Sequence, residues 1–172
     1  MNRFASSWAS AALVMAIGIA LLFGLPGRLD DYDLIQVTIY AVMSILGVSL
    51  AFIWGFGGIL CFGQAAFFGL GAYTYAIAVM NMGDSTFAFL LAIAVPALFA
   101  AVLGYVIFYG RLSDVYMGVI TLTVTLILFN LVNSTAGPEW KIGTAPLGGF
   151  NGIPGIPTLN MPGNPEDVLS PK

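Results

Sequence analysis

GFGGILCFGQAAFFGLGAY, residues 55–73, is the stretch of this sequence that decides its fold. It contains six glycines and no charged residue, and it lies between two long apolar runs. Glycine inside a helix costs roughly 1 kcal/mol per residue relative to alanine, so this density predicts a break in helical structure. Irregular apolar backbone occurs at membrane depth only where it is packed in protein or lines a cavity. The stretch therefore predicts an interrupted membrane helix, a feature from which transporters build substrate sites.

The composition of the whole chain is that of an integral membrane protein. Of its 172 residues, 59% are hydrophobic and 8% are charged, whereas soluble domains carry about 25% charged residues. So few charges cannot cover a water-facing surface. We predict an all-α membrane protein with about five transmembrane helices, a broken or re-entrant segment at residues 55–64, and an irregular C-terminal tail.

A helix needs about 20 mostly apolar residues to cross a bilayer. Such runs predict a transmembrane bundle over residues 1–133, with spans at residues 8–25, 34–54, 65–80, 86–109 and 115–132. The first run also resembles a signal peptide. It is longer than the about 7–15 apolar residues of a signal and has no A-x-A cleavage site, which favours an uncleaved span. Residues 134–172 are rich in proline and glycine and show no helical or strand period, so they predict an irregular segment outside the hydrocarbon.

The residue inventory argues against catalysis. The chain has no histidine, and Cys61 is its single cysteine. Neither a Ser–His dyad nor an HExxH zinc site can be built from it. The acidic residues fall at span ends and in the tail, so no buried carboxylate pair or intramembrane proton relay is predicted. We expect no enzymatic activity, no metal site and no cofactor bound by this chain.

Few polar side chains lie at the predicted membrane depth. Gln64 begins the span after the break, where its amide either binds a polar solute or satisfies backbone groups that the break has freed. Thr121, Thr123 and Thr125 are two residues apart, which scatters them around a helix. Threonine hydroxyls in lipid commonly bond the preceding turn, and we expect that role for these three.

Small residues recur at helical spacing and predict close helix packing. Gly47, Ala51 and Gly55 form a small-xxx-small ladder on the second span, and Ala65 and Gly69 repeat the pattern on the third. Such ladders let helix backbones approach one another in lipid. They indicate a tightly packed bundle rather than isolated spans.

Three stretches resemble the permease subunits of ABC importers for branched-chain amino acids and urea. Residues 58–73, GILCFGQAAFFGLGAY, are similar to the family pattern G-x-x-S-L-G-Q-x-x-F-F-G-x-G-A-Y, with Cys61 and Phe62 where Ser and Leu are usual. RLSDVYMGVITL at residues 111–122 resembles R-x-R-G-x-Y-F-A-x-x-T-L. GGFNGIPGIP at residues 148–157 resembles G-G-x-N-G-L/I-x-x-I-P. The three matches occur in the family's order.

The resemblance implies one half of a heterodimeric channel in the bacterial inner membrane. Its implied partners are a second permease subunit, cytoplasmic ATPase subunits that bind ATP, and a periplasmic solute-binding protein; no nucleic acid is expected. Lys and Arg divide evenly between the two sides of the predicted bundle, so charge does not fix the orientation. The resemblance places the N-terminus in the cytoplasm and residues 134–172 in the periplasm.

On this hypothesis the broken segment shapes a path for a small polar solute, such as a branched-chain amino acid or urea. The residues assigned to the path are Gly57, Gly58, Cys61, Gly63, Gln64, Phe67 and Thr121. No ATPase-docking helix follows the third match, so we expect the N-terminal portion of a longer permease without its coupling region. A small membrane-embedded assembly protein without transport of its own, and a truncated product without function, are the alternative interpretations.

Overall fold

The computed structural model describes residues 29–137, 139–161 and 164–168, together with residues 12, 13, 15–20 and 24. The described residues before residue 29 that belong to the predicted first span have helical backbone. The rest of that predicted span, residues 8–25, lies outside the described residues. The distinction between a signal peptide and an uncleaved span depends on these residues and stays a prediction.

The chain forms two compact units, Met1–Gly47 and Val48–Lys172. Helix α1, Asp31–Gly57, begins in the first unit and ends in the second. In the first unit its polar side chains bond within the helix. The hydroxyls of Thr38 and Ser44 each donate to the carbonyl four residues earlier, at 2.8 Å, so these hydroxyls are satisfied without water.

Three further helices make up most of the second unit. They are α2 (Gln64–Met82), α3 (Ser85–Tyr109) and α4 (Asp114–Ser134). Each of the four helices is long and apolar enough to cross a membrane. For the described residues, the prediction of a multi-span, all-α membrane protein is therefore confirmed.

Helices α2 and α3 form a hairpin whose turn is well capped. Gly83 ends α2 with a φ of 72° and donates its N–H to the carbonyl of Val79 at 2.9 Å. Asp84 caps α3 by accepting a hydrogen bond from the N–H of Thr86 at 2.8 Å. Glycine at the C-cap and aspartate at the N-cap are the residues that these positions favour. Next to this turn, Val79 and Ala88 are buried against each other.

The crossing of α2 and α3 depends on a glycine and a proline. Pro96 lies inside α3 and has no N–H to donate to the carbonyl of Ala92, one helical turn earlier. That carbonyl lies against Gly71 of α2, where an added Cβ would be only 3.0 Å from the carbonyl oxygen. The same Cβ would lie 3.4 Å from Cγ of Pro96. Gly71 therefore lets the two backbones approach where α3 lacks one internal hydrogen bond.

The residues after α4 form short, mostly irregular structure. Strand β1 (Lys141–Ile142) pairs antiparallel with β2 (Ala145–Pro146), and β3 (Asn160–Met161) pairs antiparallel with β4 (Asn164–Val168). A 3₁₀ turn covers Gly149–Asn151. The prediction of an irregular C-terminal region is confirmed, although the sequence pattern did not reveal these small ladders.

Two asparagines attach this region to the α2–α3 turn. Asn160 accepts a hydrogen bond from the N–H of Ser85 at 2.9 Å and donates to the carbonyl of Gly83 at 2.8 Å. Asn81 donates to the carbonyl of Ile142 at 3.0 Å and accepts from the N–H of Thr144 at 2.9 Å. Asn160 and Ser85 are both buried. The amide of Asn160 thus satisfies backbone groups of the α2–α3 turn, and that of Asn81 satisfies backbone groups of the β1–β2 hairpin.

Candidate functional site

The candidate site is the interruption between α1 and α2. Helix α1 ends at Gly57, residues 58–63 are not helical, and α2 begins at Gln64. Gly58 has a φ of 67°, which glycine adopts without steric cost. We call residues 58–63 the break. The sequence predicted an interruption at residues 55–64. In the structure residues 55–57 belong to α1 and Gln64 belongs to α2, so the interruption covers residues 58–63.

The break packs beside α4 well inside the length of that helix. The α4 residues that it contacts run from Gly118 to Thr125. At 1.5 Å per residue, these positions lie about 6–17 Å from the start of α4 at Asp114. Because α4 is long and apolar enough to span a membrane, the break lies beside a candidate span and not beyond its end.

Two threonines of α4 bind both main-chain groups of Phe62. The N–H of Phe62 donates to Oγ1 of Thr121 at 3.1 Å. The carbonyl of Phe62 accepts from Oγ1 of Thr125 at 3.2 Å. A backbone group without a hydrogen-bond partner away from water costs about 1–3 kcal/mol, so these hydroxyls replace partners that a continuous helix would have supplied. We call these two threonine contacts the clamp.

Each threonine of the clamp also bonds its own helix. Thr121 donates to the carbonyls of Met117 and Gly118, both at 3.0 Å. Thr125 donates to the carbonyl of Thr121 at 2.8 Å. Thr123 bonds the carbonyl of Val119 at 2.8 Å. The expected bonding to the preceding turn is therefore observed for all three threonines, and two of them have a second role.

Glycines allow the close approach of the break and α4. A Cβ added to Gly118 would lie 3.3 Å from the carbonyl oxygen of Leu60 and 3.5 Å from the ring of Phe62. A Cβ added to Gly63 would lie 3.0 Å from the ring of Phe67 and 3.5 Å from Cβ of Thr121. At both glycines, an added side chain would crowd these atoms and force the break away from its neighbours.

The amide of Gln64 lies at the start of α2. Its Oε1 accepts a hydrogen bond from Oγ of Ser49 on α1 at 3.1 Å. Gln64 is half-buried. Gly63, the N-cap residue of α2, provides no side-chain hydrogen bond, and the first N–H groups of a helix have no acceptor within it. The start of α2 therefore combines a side-chain amide with unpaired backbone donors.

A groove runs between α2 and α4 from the level of the break to the β1–β2 hairpin. Its volume is about 410 Å³. The lining is almost entirely apolar, and Thr125 of the clamp lies at one end. Ala65 and Gly69, which the sequence assigned to helix packing, line this groove. Their small size keeps the groove open on the side of α2.

The residues assigned to a solute path fall into four environments. Gly58 lines a second cavity of about 320 Å³ beside the start of α4. Cys61, Gly63, Gln64 and Thr121 surround the clamp. The ring of Phe67 contacts that of Phe99 on α3 edge-on, with centroids 6.0 Å apart, and Gly57 is the last residue of α1. Their assignment to a path stays a prediction.

The ladder predicted on α1 faces outward. Gly47, Ala51 and Gly55 are exposed, and a Cβ added to Gly55 would meet no atom within 4 Å among the described residues. The ladder's role in helix packing stays a prediction. Among the described residues, no group of three His, Cys, Asp or Glu side chains is placed to hold a metal ion.

The sequence did not predict a role at the site for Ser49, Gly118 or Thr125. Thr121 and Thr125 are four residues apart, and residues at that spacing share one face of a helix. The spacing was available in the sequence and predicts a shared face. The partners of these residues lie far away in the chain, 59 residues apart for Thr121 and Phe62, so no local pattern identified them.

Comparison with known proteins agrees with the resemblance noted above. A family model described as "Branched-chain amino acid transport system / permease component" matches residues 34–154. The high-affinity branched-chain amino acid transport system permease protein LivM of Escherichia coli (strain K12) is 30% identical over 108 residues, which are 59% of this chain and 25% of LivM. The chain thus spans about a quarter of the length of this curated relative. No solved structure matches the chain.

The matched residues 34–154 make up more than half of the chain. They contain most of α1, all of α2–α4, the break, the clamp and the groove. The chain is therefore a multi-pass membrane protein, and it belongs to the family of branched-chain amino acid transport system permease components.

Proposed function

We propose that this chain is a permease component of an ABC importer and that it forms part of the path of a small polar solute, such as a branched-chain amino acid or urea. The observation that carries the proposal is the break between α1 and α2, which lies beside the candidate span α4. Interrupted helices in transporters place helix ends and unwound backbone beside the substrate. The chain itself performs no reaction and binds no cofactor.

The start of α2 suits the carboxylate of an amino acid. The N-terminal end of a helix carries a partial positive charge, and its free N–H groups point toward an anion. At Gly63 no side chain of the N-cap residue occupies these groups. The amide of Gln64 stands at the same place, and among the described residues its hydrogen bond is the one that Oε1 accepts from Ser49. Its Nε2 can then donate to an oxygen of the solute.

The groove between α2 and α4 suits an aliphatic side chain. It begins near the break at Ala65 and Thr125 and extends to Ile142 and Leu147. A volume of about 410 Å³ lies within the range of about 300–1,000 Å³ that is usual for small-molecule sites. A polar end at Gln64 beside an apolar groove matches a solute with one charged and one apolar part.

The remaining components of transport belong to other chains on this proposal. A second permease subunit completes the channel, cytoplasmic ATPase subunits bind ATP, and a periplasmic binding protein delivers the solute. The proposed location is the bacterial inner membrane, with the N-terminus in the cytoplasm. The region after α4 then faces the periplasm, where its irregular surface is available to the binding protein.

The first prediction concerns Gln64. In membranes that contain the complete assembly, Gln64→Leu is expected to reduce uptake of the solute about tenfold or more, because a hydrogen bond to a charged group is lost. Uptake of radiolabelled leucine is the measurement. The control is Gln36→Leu, which makes the same chemical change on α1 at a residue that donates to Tyr32 at 3.1 Å.

Equal uptake by the Gln64→Leu and Gln36→Leu variants would contradict a role of Gln64 in the path. Co-purification addresses the proposed partners separately. Recovery of the chain with an ATPase and a second permease supports the importer. Recovery with unrelated membrane complexes, and without these subunits, supports an assembly protein.

A further inference from the structure

The two hydrogen bonds of the clamp differ in how they can be released. Oγ1 of Thr121 accepts the N–H of Phe62 and gives its own proton to a carbonyl of α4. Acceptance from Phe62 therefore does not compete with the bond to α4. Every hydroxyl has one proton and two lone pairs, so Thr121 can hold both bonds at once.

The hydroxyl of Thr125 has one proton and two acceptors. They are the carbonyl of Phe62 at 3.2 Å and the carbonyl of Thr121 at 2.8 Å. If the proton goes wholly to Thr121, the carbonyl of Phe62 loses its partner while α4 keeps all its bonds. Of the two bonds of the clamp, the one from Thr125 is therefore the one that competes with a bond inside α4, and its release leaves α4 fully bonded.

The break has glycines near both ends. Gly58 has a left-handed backbone, and Gly63 immediately precedes α2. Glycine tolerates changes of backbone dihedral angles that other residues resist. Once the carbonyl of Phe62 is released, the peptide group between Phe62 and Gly63 can rotate away from α4, while the N–H of Phe62 stays on Thr121 and α1 and α2 stay helical.

We propose that Thr125 is a positioning residue that holds the break against α4, with Thr121 as the permanent anchor and the bond from Thr125 as the releasable contact. As a step in solute passage, this inference rests on the proposed transport function. As a statement about the break alone, it requires no transport. Thr125 then acts on the break through the carbonyl of Phe62.

Cys61 provides a direct measurement of this motion. It is the single cysteine of the chain, it precedes Phe62, and it is half-buried. The full-length chain is expressed in membranes, and the rate of alkylation of Cys61 by N-ethylmaleimide is measured for each variant. Alkylation in SDS gives the value for complete accessibility.

Thr125→Val removes the hydroxyl and keeps the shape of the side chain. We expect Cys61 to be alkylated about threefold to tenfold faster in this variant, which is the factor that loss of one hydrogen bond supplies. Thr123→Val is the control, because its hydroxyl bonds only the carbonyl of Val119 among the described residues. Its expected rate is that of the unmodified chain.

A second pair of variants decides the question if Thr125→Val does not accumulate in membranes. Thr125→Ser and Thr125→Ala both lose the methyl group, and only the serine variant keeps the hydroxyl. The serine variant is expected to react at the original rate and the alanine variant faster. Equal rates in Thr125→Val and Thr123→Val, or in the serine and alanine variants, would overturn the proposal.

Uptake by the complete assembly separates this inference from the proposed function. Faster alkylation in the Thr125 variants together with an absence of solute uptake by the unmodified assembly supports the releasable contact and rejects the transport proposal. Normal uptake together with unchanged alkylation rejects the releasable contact and leaves the transport proposal standing.

Discussion

The two ends of helix α2 are held in different ways. Its C-terminal end is capped by Gly83, in a turn that Asp84 and Asn160 also close. Its N-terminal end follows Gly63 and has no side-chain cap. At the Gly83 end, the amide of the buried Asn160 binds the N–H of Ser85 and the carbonyl of Gly83 at 2.8–2.9 Å. At the Gly63 end, two hydroxyls of α4 bind the neighbouring Phe62, and one of them shares its proton with its own helix. The C-terminal end of α2 is thus fixed by the amide of Asn160. At the N-terminal end, the hydroxyl of Thr125 can bond either the break or its own helix.

This difference teaches where motion is least costly in the second unit. Backbone groups with a single buried partner lose that partner's full contribution when they move. When the partner can form another hydrogen bond instead, the motion costs less free energy. The candidate site lies at the end of α2 where the bonds can be exchanged, while the end without a proposed solute contact is firmly capped.

The largest expected effect comes from breaking the fixed end. Asn160→Leu leaves the N–H of Ser85 and the carbonyl of Gly83 without their amide partner, in a buried setting. We expect the free energy of unfolding to fall by about 2–4 kcal/mol, because the buried N–H of Ser85 and the part-buried carbonyl of Gly83 lose their amide partner. It is measured by titrating mixed detergent micelles with SDS.

The control for this change is Asn151→Leu. Asn151 is exposed in the 3₁₀ turn, so its replacement is expected to change stability by less than about 0.5 kcal/mol. A loss in Asn160→Leu no greater than that of Asn151→Leu would show that the amide does not fix this end.

An intermediate effect is expected at the middle of α2. Gly71→Ala places a methyl group 3.0 Å from the carbonyl oxygen of Ala92 and 3.4 Å from Pro96. Overpacking of this kind costs about 1–3 kcal/mol, again measured by SDS titration. Gly69→Ala is the matched control, since its Cβ would meet no atom within 4 Å among the described residues. It is expected to gain up to about 1 kcal/mol of helix propensity, and a loss as large as that of Gly71→Ala would refute the close crossing.

The smallest effect is expected at the other end of α2. Thr121→Val removes the acceptor for the N–H of Phe62, and we expect a loss of about 1 kcal/mol in the free energy of unfolding. Thr123→Val serves as the reference on the same helix. A loss in Thr121→Val that exceeds the loss in Asn160→Leu would reverse the comparison between the two ends of α2.

The sequence allowed much of the helical structure to be predicted, for a physical reason. Long apolar runs must become helices in lipid, because every backbone group needs an internal partner. Dense glycine opposes that outcome locally, so the break between Gly57 and Gln64 was also predictable. Both signals are local in the chain.

The contacts that give the site its shape left no local signal. Asn160 and Ser85 are 75 residues apart, and Phe62 and Thr125 are 63 apart. An asparagine in a proline-rich segment and a threonine in an apolar helix are each ordinary where they occur. Only the packing of the elements turns Asn160 into a cap and Thr125 into part of the clamp.

The attachment of the α2–α3 turn by Asn160 has a consequence for biosynthesis. Asn160 is made 75 residues after Ser85, which at about 5–20 residues per second corresponds to roughly 4–15 seconds of translation. During that interval Ser85 has entered the nascent helical hairpin while its amide partner is still unmade. The hairpin must therefore pass from the ribosome into the bilayer in an incompletely closed form, and the late-arriving asparagine completes it.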